Sequence, residues 1–195
     1  IGRAVSVAFA KEGCNVVIVY NIADDDANET KNVIESYNGN AFLIKGNIKD
    51  SNICNKIIDD TVRHFGGLDI VVNNAAVQFP QTGLEFITDE QLDDTFRTNI
   101  YSMFYLTRAA LPYLKEGSVI INTSSVTSYK GNKDLIDYSS SKGAVTSFTR
   151  SLSASLADKK IRVNQVAPGP IWTPLIPSTF TKEKVGVFGK NTPLK

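Results

Sequence analysis

Leu68-Asp69-Ile70-Val71-Val72-Asn73-Asn74-Ala75-Ala76 is the stretch that decides the fold. A β-branched run that stops at two asparagines and two small residues reads as a buried strand that ends at a ligand. Upstream, Val16-Val17-Ile18-Val19-Tyr20 repeats the pattern as a strand buried on both faces, and Ala41-Phe42-Leu43-Ile44 is another strand. Downstream, Ser118-Val119-Ile120-Ile121-Asn122 and Ile161-Arg162-Val163-Asn164-Gln165-Val166 continue it. Helical patterns fill the intervals: 3–12 up to Gly13, from Asp24-Asp25-Asp26 to about Tyr37, from an Asp50 cap to His64, and 138–158. A further helical region runs from a capping box of Thr88 and Gln91 to about Lys115. Strands alternating with helices at this spacing predict an α/β fold with a doubly wound parallel sheet covered on both faces, in one domain over residues 1–195. Ligands of such sheets lie beyond the strands' C-terminal ends.

The bulk properties narrow the function. The 195 residues are 42% hydrophobic and 21% charged, with a net charge of +1. That balance gives no electrostatic reason to bind nucleic acid or an anionic membrane. No apolar run reaches the roughly eighteen residues of a membrane span. Cys14 and Cys54 have no metal-ligand spacing and read as reduced, buried and inert, which points to a cytoplasmic protein without a metal. His64, the only histidine, reads as a dipole partner at a helix end, and the aspartates at 24–26 as a solvated helix start. Residue 1 is Ile, and the tail from Gly189 to Lys195 stops without a capping element. We expect a segment of a longer protein, without the first strand and the C-terminal helix and strand.

Three features fall where strands end: Asn73-Asn74-Ala75-Ala76, Ser124-Ser125 and Pro168-Gly169-Pro170. Turn formation explains any one alone; their recurrence on successive strand ends points to a site for a flat ring. The strongest chemical signal is Tyr138 followed by Lys142, an i, i+4 pair on one helix face. An ammonium beside a phenol favours phenolate and lowers the tyrosine pKa from about 10 toward neutrality, where acid/base catalysis works. Tyr129 and Lys133 match the same spacing, but Lys130-Gly131-Asn132 breaks a helix between them. Sequence context therefore favours Tyr138.

With these residues in place, the chain resembles the short-chain dehydrogenase/reductase family over nearly its full length. The matching positions are Ile1-Gly2, as the end of a glycine-rich cofactor loop, Asn73-Asn74-Ala75-Ala76, Asn99, Ser125, Tyr138-x-x-x-Lys142 and Pro168-Gly169. The thirteen-residue step from Ser125 to Tyr138 also agrees. The resemblance implies a Rossmann-like fold and an NAD(P)-dependent oxidoreductase. It would move a hydride between the cofactor and an aldehyde, ketone, sugar or secondary alcohol. Tyr138 would be the acid/base, Ser125 would stabilise the substrate oxygen, and Lys142 would tune Tyr138 and hold the nicotinamide ribose. Asn99 would support a water-linked proton path through Lys142. Gly2, Asn74, Ala75, Ala76, Pro168, Gly169, Ile171 and Thr173 would contact the cofactor, with Tyr20, Asn21, Asn47 and Ile48 at its adenosine end. Residues 174–190 resemble the family's substrate lid. The helices carrying Phe96, Tyr101, Phe104, Tyr105 and 138–158 often pack against a second subunit there, which implies a homodimer or homotetramer, although core packing is the default reading of the aromatics.

Three positions depart from the family pattern. Ala76 replaces a glycine, Asn47 replaces an aspartate at the adenine, and Tyr20-Asn21 stand where NAD-specific members carry an acid. Without that carboxylate the ribose 2′-hydroxyl lacks its usual partner. Arg3 could meet a 2′-phosphate, whereas Asp24, Asp25 and Asp26 would repel one, so the reading leans slightly to NAD. Two alternative readings compete with this one. A dinucleotide-sensing binding protein without catalysis would not need the acid/base residues, and a lyase or epimerase on a related fold would use the Tyr-Lys pair differently.

Overall fold

The computed structural model of the chain describes residues 1–190; the tail reading at 191–195 lies outside the described residues. Five strands alternate with helices in the expected order. They are β1 (Val16–Tyr20), β2 (Ala41–Lys45), β3 (Ile70–Asn73), β4 (Val119–Thr123) and β5 (Arg162–Val166). All pairings are parallel, but the strands form two separate sheets, β1-β2 and β3-β4-β5. No pairing joins β1 to β3 among the described residues.

The expectation that Val16–Tyr20 is buried on both faces is not met. No residue of β1 is fully buried, and Val19 is exposed, because β1 has a partner along one edge only. The second sheet holds the deeper core. Val71, Ile120 and Val163 from adjacent strands pack with Ile58, Ala110 and Leu156 from the helices over them. Burying each such side chain contributes about 1.5–3 kcal/mol, so this layer fixes the sheet that carries the candidate site.

The helices start for readable reasons. Helix α1 (Gly2–Lys11) is followed by α2 (Asp24–Glu35) and α3 (Ser51–Phe65). The Asp50 carboxylate accepts from the Asn52 and Ile53 N–H groups, and Gly66 closes α3 at a left-handed φ of 79°. Thr88 caps α4 (Asp89–Phe96) by accepting from Gln91 N. The reciprocal half of that capping box does not form, because the Gln91 side chain reaches Phe79 O and Asp137 instead. A π-helical stretch, Arg97–Tyr101, then leads into α5 (Ser102–Ala110), so the helical region expected up to residue 115 is broken in register and ends earlier. The short α6 (Thr127–Lys130) stops at Gly131, and α7 (Ile136–Leu156) begins two residues before Tyr138. The segment 174–190 holds α8 (Leu175–Thr179) and α9 (Lys182–Gly186).

Cys54 is fully buried, and burial pushes its thiol up to about 11, but Cys14 is only half-buried. The His64 ring stacks on Phe42 at 4.0 Å in the last turn of α3. No helix among the described residues is long and apolar enough to cross a membrane.

Candidate active site

Parallel strands bring Asn74, Ser125 and Pro168-Gly169 to the same end of the β3-β4-β5 sheet. The loop after β4 is tied to the loop after β5, since Ser124 N donates to Val166 O at 2.8 Å and Val126 N to Pro168 O at 3.0 Å. Thr123 Oγ1 donates to Asn74 Oδ1 at 3.3 Å, joining the end of β3 to the end of β4. Under this surface a polar row runs from Asn73 Nδ2 to Asn122 Oδ1 (2.8 Å) and from Asn122 Nδ2 to Thr149 Oγ1 (2.9 Å). Asn73 thus braces the sheet against α7, and Asn74 faces the site.

Tyr138 and Lys142 sit on the buried stripe of α7. The Tyr138 side chain is 9% exposed, and its phenol lies close to Ser125, whose hydroxyl also accepts from Thr127 N and Oγ1. Burial nevertheless holds the phenol above its usual pKa, with the Ser125 bond acting the other way. This reverses the expectation that Lys142 lowers it. The reason is that Tyr138 is itself dried out by packing, which disfavours the phenolate. Lys142, 1% exposed, is separately destabilised as a cation, and burial pushes its pKa down to about 8. The Lys142 ammonium donates to Thr123 O at 2.7 Å. An ammonium carries three donors, so this leaves capacity for a further acceptor. The Ser124 hydroxyl donates to Lys142 O at 3.0 Å, locking strand end and helix together.

Asn99 is fully buried in the π-helical stretch. Its side chain closes a two-way bond with Val77, accepting from N at 2.8 Å and donating to O at 3.0 Å. It also donates to Ser141 Oγ at 3.0 Å, which ties it to the turn between Tyr138 and Lys142. Tyr129 is 61% exposed, and its hydroxyl accepts from Gln165 Nε2 at 2.8 Å, away from this constellation.

The adenosine-end residues gather at the ends of β1 and β2, where Tyr20 lies in register with Lys45. The Tyr20 hydroxyl donates to Asp24 Oδ1 at 3.0 Å, and Lys45 Nζ donates to Asp24 Oδ2 at 2.6 Å. These two bonds hold the Asp24 carboxyl below its usual range, the Lys45 bond first. Arg3 is already engaged by Asp26, Glu29 and Thr30. Asn47 caps Lys49 N through its own Oδ1, Ile48 O accepts from Cys54 Sγ, and Asn21 is exposed. Gly2 comes close to the site: a Cβ there would lie 3.1 Å from Asn74 Nδ2. The first turn of α1 carries no acidic residue and no side-chain cap. Ala75 and Ile171 are exposed and Ala76 and Thr173 half-buried. Gly2 and Asn74 thus leave a small, uncharged approach, with the buried Lys142 ammonium as a donor on the same end of the sheet, which fits a nicotinamide dinucleotide.

Sequence reasoning missed the buried Asp137, Thr95 and Ser141, and read Gln91 only as a capping partner of Thr88. Their helical spacing was the available signal, since Asp137, Ser141 and Val145 recur every four residues on the buried face of α7.

Comparison with known proteins agrees with this arrangement. The family model described as Enoyl-(Acyl carrier protein) reductase matches residues 1–195. An uncharacterized oxidoreductase of Bacillus subtilis is 58% identical over 194 residues, covering 100% of this chain and 67% of that protein. The NADPH-dependent aldehyde reductase 1 of Arabidopsis thaliana is 47% identical over 201 residues, and the chain covers 70% of it. Among solved structures, a short-chain dehydrogenase of Burkholderia cenocepacia in complex with NADP superposes with a TM-score of 0.87 at 28% identity. That match covers 93% of this chain and 74% of the other. The fold, the strand-end site and these relatives agree: the chain belongs to the short-chain dehydrogenase/reductase family of NAD(P)-dependent oxidoreductases.

Proposed function

We propose that this chain interconverts a carbonyl and an alcohol with Tyr138 as the general acid/base. The observation that carries the reading is the buried Ser125–Tyr138–Lys142 constellation at a strand end. The nicotinamide cofactor, when bound, supplies or accepts the hydride. In the reducing direction Tyr138 Oη gives its proton to the substrate oxygen, and a phenol held above its ordinary pKa is protonated for that task at neutral pH. Ser125 Oγ donates to the same oxygen as charge develops there. Lys142, through its free donors, binds the cofactor ribose and stabilises the phenolate left behind. Asn99 holds the Val77 backbone and Ser141, and so keeps α7 in register for a proton path through Lys142.

Helices α8 and α9 form the substrate lid in this reading. Gln78 Nε2 donates to Thr179 Oγ1 at 2.8 Å, and Lys184 pairs with Asp134 at 2.8 Å, so α8 docks on the segment after β3 and α9 on the loop before α7. The substrate class is an aldehyde, ketone, sugar or secondary alcohol; one relative in Daucus carota is a glucose and ribitol dehydrogenase, 45% identical over 201 residues. The slight lean to NAD finds no support among relatives, where an NADPH-dependent reductase and an NADP complex occur. The test is spectrophotometric turnover of the full chain with NAD(H) and NADP(H) against a panel of those carbonyls and alcohols. Turnover that disappears in Tyr138→Phe supports the reading; cofactor binding without any turnover would instead favour the dinucleotide-sensing alternative.

A further inference from the structure

Asp137 is 3% exposed and takes no part in the chemistry above. It precedes Tyr138 in the first turn of α7. Oδ1 accepts from the Tyr138 backbone N–H at 2.8 Å. Oδ2 accepts from Thr95 Oγ1 at 2.8 Å and from Gln91 Nε2 at 3.0 Å, both on α4. Gln91 in turn accepts from Gln81 Nε2 at 2.6 Å and donates to Phe79 O at 3.3 Å, in the segment that follows Asn74-Ala75-Ala76. Gln81 N donates to Asp134 O at 2.9 Å, next to the ion pair with Lys184 of α9.

A buried carboxylate is costly unless donors satisfy it. This one has three, arriving on both oxygens from two helices. Only a carboxylate can accept on both sides at once; an amide has a single acceptor oxygen and would turn its NH₂ toward a donor. Tyr138 therefore lies between two anchors. On its C-terminal side, Lys142 and Ser124 fasten α7 to the end of β4, the strand that presents Ser125. On its N-terminal side, Asp137 is the charged side chain within α7 that ties the helix to α4.

We propose that Asp137 is a positioning residue, clamping the first turn of α7 to α4 and the 77–82 segment so that the Tyr138 phenol meets Ser125 in reactive geometry. This rests on the assignment of Tyr138 as acid/base. Misplacement by about 1 Å can cost on the order of 10²-fold in rate, so the clamp acts on turnover more than on binding.

The test is Asp137→Asn in the full chain, with ¹³Cζ-tyrosine labelling and the Tyr138 resonance assigned by its loss in Tyr138→Phe. We expect kcat to fall at least about tenfold, cofactor dissociation constants for NAD(H) and NADP(H) to stay unchanged, and the Tyr138 signal alone to shift or split. Thr95→Val, which removes one donor while keeping the shape, gives the same pattern more weakly and carries the measurement if Asp137→Asn does not fold. Wild-type kcat with an unmoved Tyr138 signal overturns the proposal. So does a joint loss of turnover and cofactor affinity with every tyrosine signal displaced in Thr95→Val as well as in Asp137→Asn. If the wild type itself turns over nothing on the panel, the acid/base assignment fails, while the Tyr138 signal still decides the clamp by moving or not.

Discussion

The Lys142 ammonium lies 5.6 Å from the centre of the Tyr138 ring and is fastened to Thr123 O at 2.7 Å, with almost no access to solvent. A buried cation with a neutral carbonyl partner is a stability cost, and its sign with pH follows from the two pKa values. The unfolded chain keeps this proton up to about 10.5, the folded chain only up to about 8. Between these values the unfolded state binds more protons, so stability rises with pH across that window. Below pH 8 the full cost applies, roughly 3 kcal/mol. Lys142→Met should therefore be more stable than wild type in urea at pH 7, and the difference should shrink by pH 10. A constant difference across that range would show that the ammonium is not the buried species.

The sheet and the Ser125–Tyr138–Lys142 set were legible because both rest on local rules. β-branched runs such as Val16–Tyr20 fix strands, and i, i+4 spacing fixes which side chains share a helix face. The direction of the Tyr138 shift was not legible, because it depends on how far tertiary packing dries out Tyr138 and Lys142 together. The Gln91 capping box failed for a similar reason. A carboxylate 46 residues away, at Asp137, competes for the same side chain, and no local pattern announces it. The burial of β1 was overestimated because a strand's composition reports its preference, while its exposure depends on neighbours along both edges.

Cofactor choice is testable where Tyr20, Asp24 and Lys45 meet. Tyr20→Asp would add a carboxylate beside Asp24 and leave Lys45 to neutralise two. The extra charge would accept from a ribose 2′-hydroxyl and repel a 2′-phosphate, so the ratio of kcat/KM for NAD over NADP should rise. An unchanged ratio would place the adenosine ribose elsewhere.

The aromatic helix gives an assembly prediction. Phe104 is 49% exposed although its ring lies 4.3 Å from Phe148 of α7, and Tyr101 is exposed as well, so core packing does not account for this face. We predict that it packs against a second copy. Phe104→Asp should then shift sedimentation equilibrium toward the monomer with the fold intact by circular dichroism. An unaltered mass would assign the patch to something other than self-association.

The central claim is that Tyr138, and not the similarly spaced Tyr129, exchanges the substrate proton. Tyr138→Phe keeps the ring in its buried seat and removes only the hydroxyl beside Ser125. Tyr129→Phe is the matched control, since it removes an exposed hydroxyl held by Gln165. The decisive measurement is kcat of both variants beside wild type, with cofactor affinity determined in parallel. The account predicts a fall on the order of 10²–10⁴ for Tyr138→Phe with cofactor affinity retained, and near wild-type turnover for Tyr129→Phe. Full activity in Tyr138→Phe, or its loss in Tyr129→Phe alone, would contradict it.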